Sequence, residues 1–261
     1  MAHRLLSLMH ANDREQVILT GVPMRLQSDT LLATGGDRPR LLHFIVEGWA
    51  CRYEKLSDGR RQIIDILLPG DICDIDWLHG HLACLPAIAL TMMRTIGLKR
   101  EEVEDLAEQD IRLARTLQAD MHEKFVRRGQ TICTLGRRSA IERLAYLLCG
   151  LFTRLRRAGL ARGNLCDFPL TQGDLGDLAG LTPVHVNRVV QELRQRKMIT
   201  LQRRRLMIPD FDLLADLGHF SPQQMSNESP ISRLIGLGAE LQRAALPQPP
   251  ARSMPSASAG L

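Results

Sequence analysis

Residues 169–197 read PLTQGDLGDLAGLTPVHVNRVVQELRQRK. Thr171 and Asp174 stand at the spacing of a capping box, and Leu170 can staple onto Leu175, so a helix is predicted from Gln172. Gly180 ends that helix, because glycine takes the left-handed backbone conformation without a Cβ clash. Thr182 then caps a second helix with Pro183 in its first position, where the missing N–H is not needed. Gly176 is small where the two helices must approach, and Leu175, Ala179, Leu181, Val186 and Val189 are apolar where they must share a core. Two helices joined by so short a turn make a helix-turn-helix.

This register leaves Pro183, Val184, His185, Asn187, Arg188 and Gln191 facing outward. In such a motif, the start of the second helix meets base edges in the major groove of DNA. Arg188 has the reach and the two donors for guanine O6 and N7, while Asn187 or Gln191 suits adenine. Val184 and His185 complete the base-facing set, with a phosphate contact or plain solvent exposure as the other reading of His185. For Arg188 the other reading is a surface ion pair with Glu192, four residues on. The cap residues Thr171 and Thr182 are expected beside phosphates. Downstream, Ile199–Gln202 and Leu206–Ile208 are β-prone and flank Arg203-Arg204-Arg205, a hairpin wing whose basic tip suits the DNA backbone. Neither helix carries the broad exposed apolar face with aromatics that membrane binding requires.

The remainder of the chain supports that assignment. Its 261 residues suffice for two domains, with an apolar fraction of 44% and no run long enough to span a bilayer. The opening MAHRLLSLMHANDRE lacks the apolar core and cleavage site of a secretory signal. Six scattered cysteines without a CxxC pair fit a reducing cytoplasm and exclude a zinc finger or disulfide framework. Residues 137–205 hold fourteen Lys/Arg against five acids, a net +9, so the rest carries −4 under the overall +5. A basic block beside a mildly acidic one suits a nucleic-acid module joined to a separate domain; a solvated arginine-rich surface is the blander account.

The fold class expected is α+β: an N-terminal antiparallel β jelly roll, a long dimerisation helix, and a C-terminal winged helix-turn-helix. Before residue 100, short β-prone runs are cut by turns at Gly35-Gly36, Ser57-Asp58-Gly59 and Pro69-Gly70-Asp71, and YEKLSDGRRQI reads as a hairpin. Beyond Glu101 the period becomes helical, and Leu117, Met121, Phe125, Ile132 and Leu135 line a narrow stripe suited to a two-helix dimer seam, with a plain core helix as the other reading. A break at Gly136-Arg137-Arg138 precedes a further helix in SAIERLAYLLCGLFTRLRRAG. The boundaries expected are 1–20 for an N-terminal segment, 21–109 for the β domain, 110–136 for the dimerisation helix and 137–220 for the winged helix. The tail 221–261, rich in Pro, Ser, Ala and Gln, is expected to lack fixed structure outside a short helical stretch near 231–246.

Over roughly residues 20–220 the chain resembles the Crp/Fnr transcription regulators, through EGWACRYEKLSDGRRQIIDILLPGD and LTQGDLGDLAGLTPVHVNRVVQELRQRKMIT. The resemblance implies a homodimer on a palindromic promoter site, with double-stranded DNA, a second copy and RNA polymerase as partners. It places Arg188 at the family's guanine-reading arginine. Where cyclic AMP binders of the family carry a Gly-Glu pair and an Arg-Ser or Arg-Thr pair, this chain has Asp74-Ile75 and Leu85-Pro86. Isoleucine cannot accept from a ribose hydroxyl and leucine cannot neutralise a phosphate, so cyclic AMP is not an expected ligand. The iron–sulfur cluster of oxygen-sensing members would also lack ligands, since no cysteine precedes Cys51. Val184 replaces the family's cytosine-reading glutamate, which points to an altered half-site.

For the β domain, the sequence offers two candidate sensing sets. His79, His81 and Cys84 in LHGHLAC form a weak metal or haem set, and Cys51, Cys73 or Cys84 could serve redox sensing. No cofactor is otherwise indicated, and no nucleophile–base pair, phosphate loop or HExxH suggests an enzyme. The rival from another class is a small-molecule, haem, metal or redox-sensing binding module whose helix-turn-helix contacts protein instead of DNA.

Overall fold

The computed structural model describes residues 21–36, 38–73, 83 and 85–222. Between Val22 and Lys99, strands broken by tight turns stack as two antiparallel sheets. They are β1 (Val22–Leu26), β2 (Leu31–Ala33), β3 (Leu41–Glu47), β4 (Ala50–Lys55), β5 (Arg61–Leu67), β6 (Ile72–Cys73), β7 (Ala87–Ala89) and β8 (Met93–Lys99). One sheet runs β1-β8-β3-β6 and the other β2-β7-β4-β5. Alternate positions Met93, Thr95 and Gly97 of β8 are buried, the period of two that a half-covered strand demands. Leu42, Phe44, Ile45, Leu67 and Met93 fill the space between the sheets. The hairpin expected from YEKLSDGRRQI is β4–β5, paired from Ala50 opposite Leu67 to Lys55 opposite Arg61.

Two helices follow, α1 (Arg100–Gln109) and α2 (Ile111–Arg137). They meet at Asp110, whose carboxylate accepts from the Arg112 N–H at 2.8 Å and caps α2. With 27 residues, α2 is about 40 Å long. It continues through the expected break at Gly136, and the chain turns instead at Arg138. Ser139 and Glu142 form a capping box that starts α3 (Ala140–Arg157).

The stripe on α2 divides three ways. Met121, Phe125 and Ile132 are exposed, at 44%, 74% and 73%. Leu117 is instead buried with Leu113 and Val103 in the core of the β domain, so it is not on the free face assigned to it from periodicity. Leu135 is half-buried and leans toward Gly180.

The inner face of α2 also buries charge. Lys124 donates to the Ile72 carbonyl at 2.7 Å and pairs with Asp120 at 2.9 Å. Arg127 meets Asp65 at 3.0 Å, while Arg154 of α3 meets Asp71 at 2.7 Å and Asp65 at 3.8 Å. Burial pushes the Asp65 carboxyl up, but Arg127 and Arg154 outweigh it and hold the group at about 2.

The C-terminal domain adds β9 (Ala161–Arg162), β10 (Leu165–Asp167), α4 (Gln172–Ala179), α5 (Pro183–Gln195), β11 (Thr200–Gln202), β12 (Arg205–Met207) and α6 (Phe211–Gly218). Its sheet runs β11-β12-β10-β9. The wing is tighter than expected. Only Arg203 and Arg204 turn, with φ of 50° and 57°, and Arg205 begins β12. Such a two-residue loop with both φ positive suits the twist of a hairpin. The β9–β10 pair and α6 have no counterpart in the sequence reading. Trp49, Cys51, Ile63 and Ile66 of the β domain share one continuous core with Leu148, Phe152, Phe168 and Leu178 of the C-terminal domain. The rings of Trp49 and Phe168 meet edge-to-face at 5.8 Å.

No helix among the described residues is long and apolar enough to cross a membrane. The segments 1–20 and 223–261, and with them the helix expected near 231–246, lie outside the described residues.

Candidate nucleic-acid interface

Helix α4 forms where its caps dictate. The Thr171 hydroxyl accepts from the Asp174 N–H at 3.1 Å, and the Asp174 carboxylate accepts from the Thr171 N–H at 2.9 Å. Gly180 ends α4 at φ 63°, the left-handed region. Gly176 permits the turn, since a Cβ there would lie 2.5 Å from the Leu181 carbonyl oxygen. The Thr182 hydroxyl then accepts from the His185 N–H at 3.2 Å, with Pro183 in the first turn of α5.

Helix α5 has two faces. Val186, Val189, Val190 and Leu193 are buried against the rest of the domain. Pro183, Val184, His185, Asn187, Arg188 and Gln191 are exposed together on the other side. Glu192 pairs with Arg196, so the ion pair that would have occupied Arg188 is not made. Arg188 has no ion pair or side-chain hydrogen bond among the described residues, and its five N–H donors face solvent. Thr171, Thr182, Arg203, Arg204 and Arg205 are exposed as well, Arg205 standing 3.5 Å from Asp167.

Comparison with known proteins agrees with this geometry. Residues 142–217 match the Crp-like helix-turn-helix domain and residues 23–110 the cyclic nucleotide-binding domain. The nitrogen fixation regulation protein FixK of Rhizobium meliloti is 32% identical over 150 residues, 58% of this chain and 64% of that one. The transcriptional activatory protein AadR of Rhodopseudomonas palustris is 30% identical over 192 residues, 67% of this chain and 73% of that one. The chain belongs to the Crp/Fnr family of transcription regulators. In three dimensions this Crp/Fnr chain is similar to FixK2 from Bradyrhizobium japonicum, with a TM-score of 0.68 and 27% identity over 76% of this chain and 96% of that one.

Within the Crp/Fnr architecture, only one of the two position pairs expected to meet a cyclic nucleotide is described. Leu85 and Pro86 are half-buried and supply no cation; Asp74 and Ile75 lie outside the described residues. Lys124, Arg127 and Arg154 face the carboxylates of Asp120, Asp65 and Asp71. Leu85 and Pro86 themselves give a nucleotide's phosphate no charged partner.

The candidate metal set of His79, His81 and Cys84 lies outside the described residues, among which no group of three or more His, Cys, Asp and Glu could hold a metal ion. Cys51 and Cys73 are buried. Burial pushes the Cys51 thiol up to about 12, the opposite of an activated thiolate.

Three residues that brace α4 have no signal in the local sequence. Arg61 of β5 donates to Asp174 at 2.8 Å and to Asp177 at 2.7 Å, both on α4. Burial disfavours its charge, but the two carboxylates prevail and raise its pKa. Gln62 donates to the Asp177 carbonyl at 2.6 Å, and Arg143 of α3 to the Ala179 carbonyl at 3.2 Å. Their partners are distant in sequence, so no local pattern announces them.

Proposed function

We propose that this protein is a homodimeric, sequence-specific DNA-binding regulator of transcription that acts without cyclic AMP. The observation that carries the reading is the unpaired guanidinium of Arg188 on a helix capped by Thr182 whose other face is locked into the core. Pre-organised in this way, α5 enters the major groove with Arg188 toward guanine O6 and N7, and with Asn187 and Gln191 toward neighbouring adenine edges. Val184 and His185 line the same groove. Thr171, Thr182, Arg203, Arg204 and Arg205 hold the backbone through phosphates.

Dimerisation proceeds through the exposed face of α2 at Met121, Phe125 and Ile132. Gly129 and Gly136 are exposed among them, with open space where a Cβ would be. A glycine inside a helix costs about 1 kcal/mol relative to alanine, and close approach of a second α2 supplies a reason to keep it. Two-fold symmetry then requires a palindromic operator with half-sites about one helical turn apart. RNA polymerase is the further partner, the cytoplasm the place of action, and the role is regulatory and not enzymatic.

Arg188→Ala tests this reading. It is expected to weaken operator binding by about 1–3 kcal/mol per half-site while leaving binding to random duplex nearly unchanged. Equal losses on both duplexes would refute base reading by Arg188.

A further inference from the structure

Of the four valines in α5, Val186, Val189 and Val190 are buried, whereas Val184 is 66% exposed. No other large apolar side chain of the C-terminal domain is as exposed among the described residues; Leu213 follows at 47%. Packing within the protomer does not account for a valine here. Neither does helix propensity, since a β-branched side chain loses rotamer freedom in a helix and most polar residues would serve better in solvent. Val184 also lies four residues before Arg188, so the two side chains are neighbours on one face, one turn apart. The cap bond from the His185 N–H to the Thr182 hydroxyl, at 3.2 Å, fixes the turn that carries Val184.

We propose that Val184 is a specificity-determining residue that reads the C5-methyl group of a thymine, one position beside the guanine taken by Arg188. This inference rests on the reading of α5 as the helix that enters the major groove, and it names the base at a position that the reading leaves blank. The thymine methyl is the one apolar group on the major-groove edges of the four base pairs. Val184 carries no donor or acceptor and gains only by removing apolar surface from water. A cytosine in the same place would turn its N4 amino group toward two methyls and lose a water partner without gaining another. Thymine is therefore favoured and cytosine disfavoured by the same side chain.

The test removes the methyl and nothing else. An operator is first selected from random duplexes with the full-length protein, and each thymine of the half-site is then replaced in turn by uracil. The affinities are read by fluorescence anisotropy at fixed salt. Uracil at one position is expected to weaken binding about fourfold, and about 15-fold when both half-sites are changed, the effect of one buried carbon group at each. Val184→Ala should bind the thymine operator more weakly and bring the thymine-to-uracil ratio close to one. Because Val184 is exposed, this variant should melt with the wild-type protein.

Sequence-specific, salt-sensitive binding that ignores every thymine-to-uracil change would overturn the methyl contact and leave the DNA-binding reading intact. So would a Val184→Ala protein that keeps the full ratio. Failure to select any duplex would instead overturn the groove-entering helix itself, and the methyl contact with it.

Discussion

The Nε of Arg61 lies 2.7 Å from the Asp177 carboxylate, a contact that joins residues 116 apart in the chain. Through it, the β4–β5 hairpin of the β domain grips the first helix of the helix-turn-helix. The same guanidinium reaches Asp174, which caps α4, so hairpin and cap are mechanically one unit. Arg61→Ala should loosen the seat of α4 with a modest cost in stability, about 1 kcal/mol for partly exposed pairs. Its larger effect should fall on operator affinity, measured by anisotropy, because α5 is oriented through α4. A variant with wild-type affinity would show that the grip does not set the orientation.

The wing makes a second, separable prediction. Arg203→Gln together with Arg204→Gln removes two exposed cations per protomer without touching α5. Binding should weaken on every duplex alike, and the slope of log affinity against log salt should shrink by about 3 to 4 for the dimer. An unchanged slope would place the wing away from DNA.

Acid should reveal the buried network. The Asp65 carboxyl is held at about 2, below the value of about 4 expected in the unfolded chain. A depressed carboxylate stabilises the fold above its unfolded pKa, and that contribution is lost as pH falls toward the folded one. The window is therefore roughly pH 4 to 2, with about 2 kcal/mol at stake. Urea unfolding of wild type across this window should show the loss. Asp65→Asn should be less stable at neutral pH, leaving buried arginines short of a carboxylate, and should lack this part of the acid dependence.

A charge on the proposed α2 seam tests the dimer. Phe125 is 74% exposed in the protomer, so Phe125→Asp leaves the protomer's core untouched. Light scattering should report a monomer, and operator affinity should fall because only one half-site is then engaged at a time. A variant that stays dimeric would move the interface elsewhere.

The parts that sequence reading reaches are those whose causes are local. Thr171, Asp174, Gly180, Thr182 and Pro183 lie within thirteen residues, and each acts on backbone groups within its own turn, so the helix-turn-helix is legible before any tertiary contact. The hairpin at Asp58-Gly59 is legible for the same reason. Leu117 is different. Periodicity places it on a stripe but does not say which apolar partner covers which part of a long helix, and the β domain takes Leu117 while Phe125 stays free. The wing shows another limit, since three consecutive arginines do not reveal which two adopt positive φ. Arg61, Gln62 and the Asp65 cluster are invisible to local pattern because their partners come from other elements altogether.

The unbroken run of apolar contacts from Trp49 and Ile66 through Phe168 to Leu178 bears on how such a chain can be dissected. Cutting between its halves would not yield two finished modules but two raw surfaces, each missing the other's covering. The winged portion produced alone should therefore tend to self-associate and melt early. Heating the intact chain should show a single cooperative event in which both halves let go together.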